Sequence, residues 1–107
     1  MSEEPRFFAV FATDRPGTAV LRARLRPAHR DWLRAPGEHR VRVCLGGPTR
    51  DPAGAMNGTL LVVEAADLQA VARFVAEDPY SRHGLFAAVE IRAWDWSLGR
   101  PAQALCL

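Results

Sequence analysis

The sequence predicts an α+β domain whose elements follow the order βαββαβ. Three observations support this prediction. Four short runs have the apolar or alternating character of strands, and two stretches between them repeat their apolar residues at helical intervals. The third observation is size: 107 residues make one domain, and a chain of this length buries a core without help from disulfides or metals.

The first strand is the run Phe7–Ala12, which is apolar on both faces and ends at the turn signal Asp14-Arg15-Pro16-Gly17. From Thr18 to Arg34 the spacing becomes helical. The apolar positions of this stretch are Leu21, Leu25, Ala28 and Trp32. Pro27 interrupts the run, so we expect a short first helix and a second helix that begins at Pro27, where the missing N–H costs nothing.

The second strand covers Val41–Leu45, and residues 46–58 follow it as a loop. Thr59–Val63 is the third strand and is again apolar on both faces. Asp67 is a favourable N-cap for the next helix, which Pro79 ends. The expected core stripe of this helix is Leu68, Val71, Ala72 and Val75.

Val89–Trp94 alternates between apolar and polar residues and completes a four-stranded antiparallel sheet of the ferredoxin-like type. In that topology the first and third strands are central, which fits their two apolar faces. The second and fourth strands lie at the edges, which fits their charged residues Arg42, Glu90 and Arg92. Residues 1–97 form this domain, and residues 98–107 are expected to be a C-terminal tail because they show no periodicity.

The apolar character of the central strands also predicts a homodimer. Two helices cover only one face of the sheet. The other face would be lined by Phe8, Val10, Leu60 and Val62, or by their neighbours on the opposite side. An apolar face of that size does not stay in water, so we expect two sheets to pack face to face through this open side.

Composition excludes several classes of function. All fourteen basic residues are arginine, so lysine Schiff-base and P-loop lysine chemistry are absent. The arginines concentrate only between Arg22 and Arg34, which favours a solvated helix face over a nucleic-acid surface. No apolar run approaches the roughly 20 residues that span a bilayer, and the acidic N-terminus does not resemble a signal peptide. We therefore expect a cytoplasmic protein with neither nucleic-acid nor membrane partners.

The sequence predicts neither a metal nor a cofactor. No histidine and carboxylate share the spacing of metal ligands on a helix face, and the two cysteines share none either. The segment Gly46-Gly47-Pro48 is too short for a phosphate loop and no helix follows it. The expected partner besides a second copy is a small molecule.

His29 and Asp78 are the residues that indicate chemistry. Each lies at a predicted helix end, His29 in the first turn after Pro27 and Asp78 directly before Pro79. A neutral imidazole can accept a proton, and a carboxylate on its other ring nitrogen orients the ring. The structural alternative is that His29 bonds a nearby carbonyl and that Asp78 caps a turn with its own side chain.

Four further residues are candidates for binding a substrate. Arg22 or Arg26 would hold an anionic group, because both lie on the helical stretch that carries His29. Tyr80 would donate a hydrogen bond to a ligand oxygen, with packing under the connector as its alternative. Asp14 is either a site residue or the cap of the first turn.

Several motifs follow one another with regular spacing over residues 6–95. They are Arg26-Pro27-Ala28-His29, Gly47-Pro48, Gly58-Thr59-Leu60, Asp78-Pro79-Tyr80 with Gly84-Leu85, and Val89–Trp94. This ordered set resembles the YCII-related family. The resemblance implies a dimeric α/β barrel and a site centred on a histidine–aspartate pair, which His29 and Asp78 match. It also implies a relation to dehydrochlorinase activity on a chlorinated hydroxyhydroquinone, which is associated with one branch.

The leading hypothesis is a small cofactor-independent enzyme that moves a proton on a small aromatic or hydroxylated acid, as an isomerase, a lyase or a dehydrochlorinase. His29 would move the proton and Asp78 would orient it. The alternative is a non-catalytic ligand-binding or accessory domain in which the same pair is structural. The surroundings of His29 distinguish the two, because catalysis requires a cavity and an available ring nitrogen.

Overall fold

The computed structural model of the chain describes residues 6–35 and 39–101. One antiparallel sheet has the strand order β2-β3-β1-β4, and helices pack on one of its faces. The strands are Phe7–Asp14 (β1), Arg42–Arg50 (β2), Met56–Glu64 (β3) and Phe86–Trp94 (β4). The helices are Ala19–Leu33 (α1), Leu68–Glu77 (α2) and the single turn Pro79–Arg82 (α3). The predicted ferredoxin-like fold is confirmed, and no helix in the described ranges is long and apolar enough to cross a membrane.

The two strands that are apolar on both faces lie in the middle of the sheet, as predicted. Phe8 pairs with Val63 and Val10 with Leu61 across β1 and β3, and all four are buried in the core beneath the helices. The side chains of a strand alternate between the two faces. Phe8 and Val10 therefore point toward the helices, and it is their neighbours in the chain that point to the far face.

The far face of the sheet, defined as the side away from the helices, exposes less apolar surface than the sequence predicts. Phe11 is 44% exposed, whereas Val62 and Ala9 are only 6% and 8% exposed. Phe11 lies at the centre of the sheet, between Leu60 on β3 and Glu90 on β4. The exposed apolar surface of the far face therefore includes Phe11 and also Trp94, which pairs with Phe7 on that face.

α1 is one continuous helix, so the expected break at Pro27 is wrong. Pro27 lies inside the helix and is exposed, and its ring removes the hydrogen bond that would reach the carbonyl of Ala23. The two buried residues of α1, Arg22 and His29, lie on either side of Pro27. Their contacts hold both halves of the helix against the protein, and these contacts outweigh the local cost of the proline.

β2 and β3 extend into the segment that was expected to be a loop, and only residues 51–55 connect them. Pro48 is tolerated within β2 because β2 is an edge strand, bonded to β3 alone. The pairing shifts register between Val43 and Leu45. This longer β2 brings Gly46, Gly47 and Pro48 opposite α1, where they border the site described below.

α2 begins as predicted, because the Asp67 side chain accepts a hydrogen bond from the backbone N–H of Ala70 at 2.8 Å. Its expected core stripe is only partly correct: Leu68 is half exposed and Ala72 faces solvent. The buried residues of the helix are Val71, Phe74 and Val75. The buried face of α2 therefore includes Phe74, which the spacing did not indicate.

Beyond β4, the chain packs back onto the start of β1. The rings of Trp96 and Phe7 meet edge to face with centroids 5.5 Å apart, and the Arg100 guanidinium lies 4.9 Å from the Phe7 ring centroid. Leu98 between them is exposed. Of the expected tail, residues 102–107 lie outside the described residues.

Candidate active site

His29 and Asp78 stand 49 positions apart in the chain and form a buried pair. Nδ1 of His29 lies 2.7 Å from Oδ2 and 2.9 Å from Oδ1 of Asp78. The exposed fractions of the two residues are 6% and 3%. Because an ionised carboxylate only accepts hydrogen bonds, Nδ1 of His29 carries a hydrogen in this contact, and in the neutral ring the lone pair is then on Nε2.

The structure changes the predicted setting of His29 and confirms that of Asp78 at a helix end. His29 lies in the C-terminal half of α1, not in the first turn of a second helix. Asp78 precedes α3, and its Oδ1 also accepts a hydrogen bond from the backbone N–H of Tyr80 at 2.9 Å. The capping role and the pairing with His29 are therefore present in the same carboxylate.

Tyr80 is completely buried and supports the His29 ring. The two rings are stacked, with centroids 3.9 Å apart and planes 15° from parallel. Burial raises the pKa of the Tyr80 phenol above its usual value, and the charge of Arg22 only partly opposes that rise. The phenol therefore keeps its proton at neutral pH and remains a hydrogen-bond donor.

Arg22 is the centre of a second buried network. Its Nε and Nη2 donate to the two carboxylate oxygens of Asp14 at 2.7 and 3.0 Å, and Nη2 also donates to Thr59 at 2.8 Å. Its Nη1 lies 3.5 Å from the Tyr80 hydroxyl. Asp14 therefore already matches the charge of Arg22, which leaves this arginine a weak candidate for holding an anionic ligand.

The Arg22 network could be predicted only in part. Asp14 and Arg22 were both candidate site residues, but no motif or spacing indicated that they bond each other. Thr59 was missed altogether. A lone hydroxyl at the start of an apolar strand was the available signal, because buried hydroxyl groups in cores are satisfied by polar partners.

A cavity of about 240 Å³ opens beside the two networks. α1 forms one wall and the extended part of β2 forms the other, while His29, Tyr80 and Thr59 line its inner part. The sequence missed the β2 wall, because it assigned Gly46, Gly47 and Pro48 to a loop. The histidine ring is thus buried by its neighbours and still borders an open space.

Four arginines, three in α1 and one directly after it, line this cavity at intervals of four residues. They are Arg22, Arg26, Arg30 and Arg34. Residues four apart share one face of a helix, so the spacing places a column of guanidinium groups along the cavity. Among the residues that the structure describes, no carboxylate lines it. Of the four, the sequence marked only Arg22 and Arg26 as binding residues.

The arrangement supplies the groups that proton transfer requires. The lone pair of His29 can accept a proton, Asp78 orients the ring, Tyr80 offers a donor, and arginine charges surround the opening. Among the described residues, no group of three or more His, Cys, Asp or Glu side chains could hold a metal ion.

The model of the YCII-related domain family matches residues 6–95. The chain belongs to this family. A solved structure similar to this YCII-related domain is that of 5-chloro-2-hydroxyhydroquinone dehydrochlorinase (TftG) from Burkholderia phenoliruptrix AC1100, in complex with 2,5-dihydroxybenzoquinone. The two chains are 31% identical with a TM-score of 0.75, and the match covers 83% of this chain and 93% of the other.

Two more distant structures share the fold alone. The C-terminal domain of the MgtC protein from Mycobacterium tuberculosis is 22% identical, with a TM-score of 0.54 and coverage of 92% of this chain and 98% of that domain. PA3566 from Pseudomonas aeruginosa is 17% identical, with a TM-score of 0.51 and coverage of 88% and 95%. No curated protein matches the YCII-related domain described here.

Proposed function

We propose that this YCII-related domain is an enzyme that moves a proton on a small hydroxylated ring compound, with His29 as the base and Asp78 as its orienting partner. One observation carries the proposal. Nδ1 of His29 is bound to Asp78, whereas Nε2 makes no hydrogen bond to any residue in the described ranges, and the ring lines the cavity. This is the arrangement in which a base is fixed at one end and available at the other.

The proposed reaction begins when Nε2 of His29 accepts a proton from the substrate. The resulting imidazolium is stabilised by the Asp78 carboxylate on Nδ1. The Tyr80 hydroxyl donates a hydrogen bond to the substrate oxygen that gains negative charge, where a preorganised donor has its largest effect. In an isomerisation His29 returns the proton to another atom of the same substrate.

In an elimination from a hydroxylated ring, His29 first returns the proton to the ring carbon that bears the leaving group, and it then takes a second hydroxyl proton, whose electron pair moves through the ring and expels the leaving group as its anion. His29 then passes the proton to water, so the products are the unsaturated ring compound, the released anion and a proton. The similarity to a dehydrochlorinase makes the loss of chloride the first elimination to test.

The size of the cavity supports a substrate of one ring. Its volume of about 240 Å³ lies just below the range of about 300–1,000 Å³ that is typical of ligand pockets. Larger ligand pockets, of several hundred cubic ångströms, hold drug-sized molecules. A single ring with a few substituents is therefore the class of compound that fits between α1 and β2.

A chloride-release assay on 5-chloro-2-hydroxyhydroquinone tests the proposal directly. We expect the wild-type chain to release chloride and His29→Gln to lower the rate at least a hundredfold, because a positioned general base contributes about 10²–10⁴ in rate. His83→Gln is the matched control, since His83 is exposed and does not line the cavity.

Two outcomes would reject the enzymatic proposal. A folded His29→Gln chain with the wild-type rate would show that His29 is not the base. Tight binding of hydroxylated rings by the wild-type chain, without turnover of any of them, would favour the alternative of a non-catalytic ligand-binding domain. Binding and turnover are therefore measured on the same preparations.

We also propose that the chain forms a homodimer through the far face of the sheet. Phe11 supports this, because a half-exposed aromatic ring at the middle of a central strand indicates a contact surface. Ion pairs flank it at both sheet edges, Arg92 with Glu90 at 2.8 Å and Arg42 with Glu64 at 3.8 Å. An apolar centre within a polar rim is the usual anatomy of a protein interface.

A further inference from the structure

Arg26 and Arg30 stand one helical turn apart on the cavity side of α1, on either side of His29 in the chain. Both are exposed. Neither side chain makes an ion pair or a hydrogen bond with any residue in the described parts of the chain, whereas Arg22 deeper in the cavity is paired with Asp14. These two guanidinium groups therefore present unmatched positive charge at the cavity mouth.

This placement is unfavourable for the helix itself. Like charges four residues apart repel each other, and α1 contains only one acidic residue, Asp31. Asp31 follows Arg30 directly and stands five positions from Arg26, so at about 100° per residue it lies on a different face from both. A local arrangement that opposes stability and borders a cavity is typical of a functional site.

We infer that the substrate is a hydroxylated ring carboxylate, whose carboxylate is bound by Arg26 and Arg30 while its ring hydroxyl reaches His29. This inference rests on the proposed function, since both ends of the substrate occupy the same cavity. Arginine suits the charged end, because its planar donors match the two oxygens of a carboxylate. The hydroxyl end meets neutral groups, the Nε2 lone pair of His29 and the phenol of Tyr80.

A ring-carboxylate substrate would distinguish this chain from its structural neighbour. The compound named for that dehydrochlorinase is a chlorinated hydroxyhydroquinone, which bears no carboxylate. Two arginines at the cavity mouth would instead favour a ring acid over the corresponding neutral ring. The preference is measurable without knowing the natural substrate, because a matched pair of probes isolates the carboxylate.

The test compares 2,5-dihydroxybenzoate with hydroquinone, which share a ring and two hydroxyl groups and differ only in the carboxylate. Isothermal titration of the full chain is expected to show at least about tenfold tighter binding of the acid, the scale of a charge-assisted hydrogen bond. Arg26→Gln and Arg30→Gln should each remove most of that preference. Arg24→Gln, an exposed arginine of the same helix outside the cavity, should retain it.

The results that overturn the inference differ from those that overturn the proposed function. Equal affinity for both probes, or an equal loss of preference in Arg24→Gln, rejects the carboxylate site even if chloride release by His29 is observed. Binding of acetate as tight as that of the ring acid also rejects it, because the arginines would then form a general anion surface. A strong preference for the acid without any turnover supports the binding site and rejects the enzyme.

Circular dichroism of each variant checks that its secondary structure is that of the wild type. The side chains of Arg26 and Arg30 are exposed and make no hydrogen bond or ion pair with the described residues, so both variants are expected to fold like the wild type. The acid preference should also weaken between about 50 and about 500 mM salt, because exposed charges are screened over a shorter distance at high ionic strength. A preference that does not respond to salt would contradict a site formed by these guanidinium groups.

Discussion

The carboxylate of Asp78 has two roles, because it caps the start of α3 and also binds the His29 ring. One oxygen accepts the backbone N–H that begins α3, and both oxygens lie within 2.9 Å of the His29 ring nitrogen. The position of the imidazole is thereby tied to the start of a helix. The stacked Tyr80 ring on one side restricts it further, so the orientation of His29 is fixed by both hydrogen bonding and packing.

Asp78→Asn should separate orientation from burial. The amide keeps the size of the side chain, but its NH₂ can face Nδ1 and move the ring hydrogen to Nε2. We expect a rate at least about a hundredfold lower, as when an orienting carboxylate is lost, and a loss of about 1–3 kcal/mol in stability. Ring ¹⁵N shifts of His29 report the tautomer. The exposed Asp95→Asn substitution is the control. An unchanged tautomer together with an unchanged rate in Asp78→Asn would contradict the assigned role.

Tyr80 gives the molecule a predictable response to alkali. Its pKa is raised above 10.0 in the folded chain, so above pH 10 the unfolded chain releases a proton that the folded chain retains. The free energy of unfolding therefore falls as the pH rises from about 10 through the folded pKa. The stabilising contribution is fully present below pH 10.

Composition makes this response easy to measure. The chain contains one tyrosine, and its basic residues are all arginine, so no lysine titrates in the same range. Near-ultraviolet absorbance should give a midpoint above 10 for the folded chain and a return to the ordinary value in denaturant. Tyr80→Phe should flatten the alkaline decline of stability, and an equally steep decline in that variant would assign it to another group.

At the scale of elements, the sequence predicted the order and kind of the long elements and missed their continuity. Alternation and helical spacing identified all four strands and both long helices. The break expected at Pro27 did not occur, because burial of Arg22 and His29 on either side of it is a tertiary effect. The extension of β2 was missed for a related reason, since pairing with β3 draws Gly46, Gly47 and Pro48 into the sheet.

Two glycines of neighbouring strands test how closely the sheet is packed. A Cβ on Gly58 in β3 would collide with the backbone carbonyl of Ala12, whereas a Cβ on Gly47 in β2 would meet nothing within 4 Å. Gly58→Ala should therefore cost about 1–3 kcal/mol, the range for overpacked sites. Gly47→Ala should stay within about 0.5 kcal/mol of the wild type. Chemical denaturation measures both, and similar values for the two would contradict the close approach of β3 to β1.

At the scale of the whole molecule, the site is a product of topology. His29, Asp78 and Tyr80 were marked by short motifs, and the family resemblance gave the pairing of the first two. The ion pair between Arg22 and Asp14 could not be predicted, and neither could the second wall of the cavity. Both depend on how α1 lies across the sheet. Sequence spacing defines which residues share a helix face, but distances between elements come only from their packing.

Phe11 offers a direct test of the proposed homodimer. Phe11→Glu places a charge at the centre of the far face beside Glu90, where the repulsion and the lost apolar contact should both disfavour association. Phe11 is half exposed in the single chain, so the substitution should leave the fold intact. Sedimentation is expected to give twice the chain mass for the wild type and the single mass for the variant. Val20→Glu, at an exposed apolar position on α1, should remain dimeric. A monomeric wild type would reject the dimer, and a dimeric Phe11→Glu chain would show that the contact lies elsewhere.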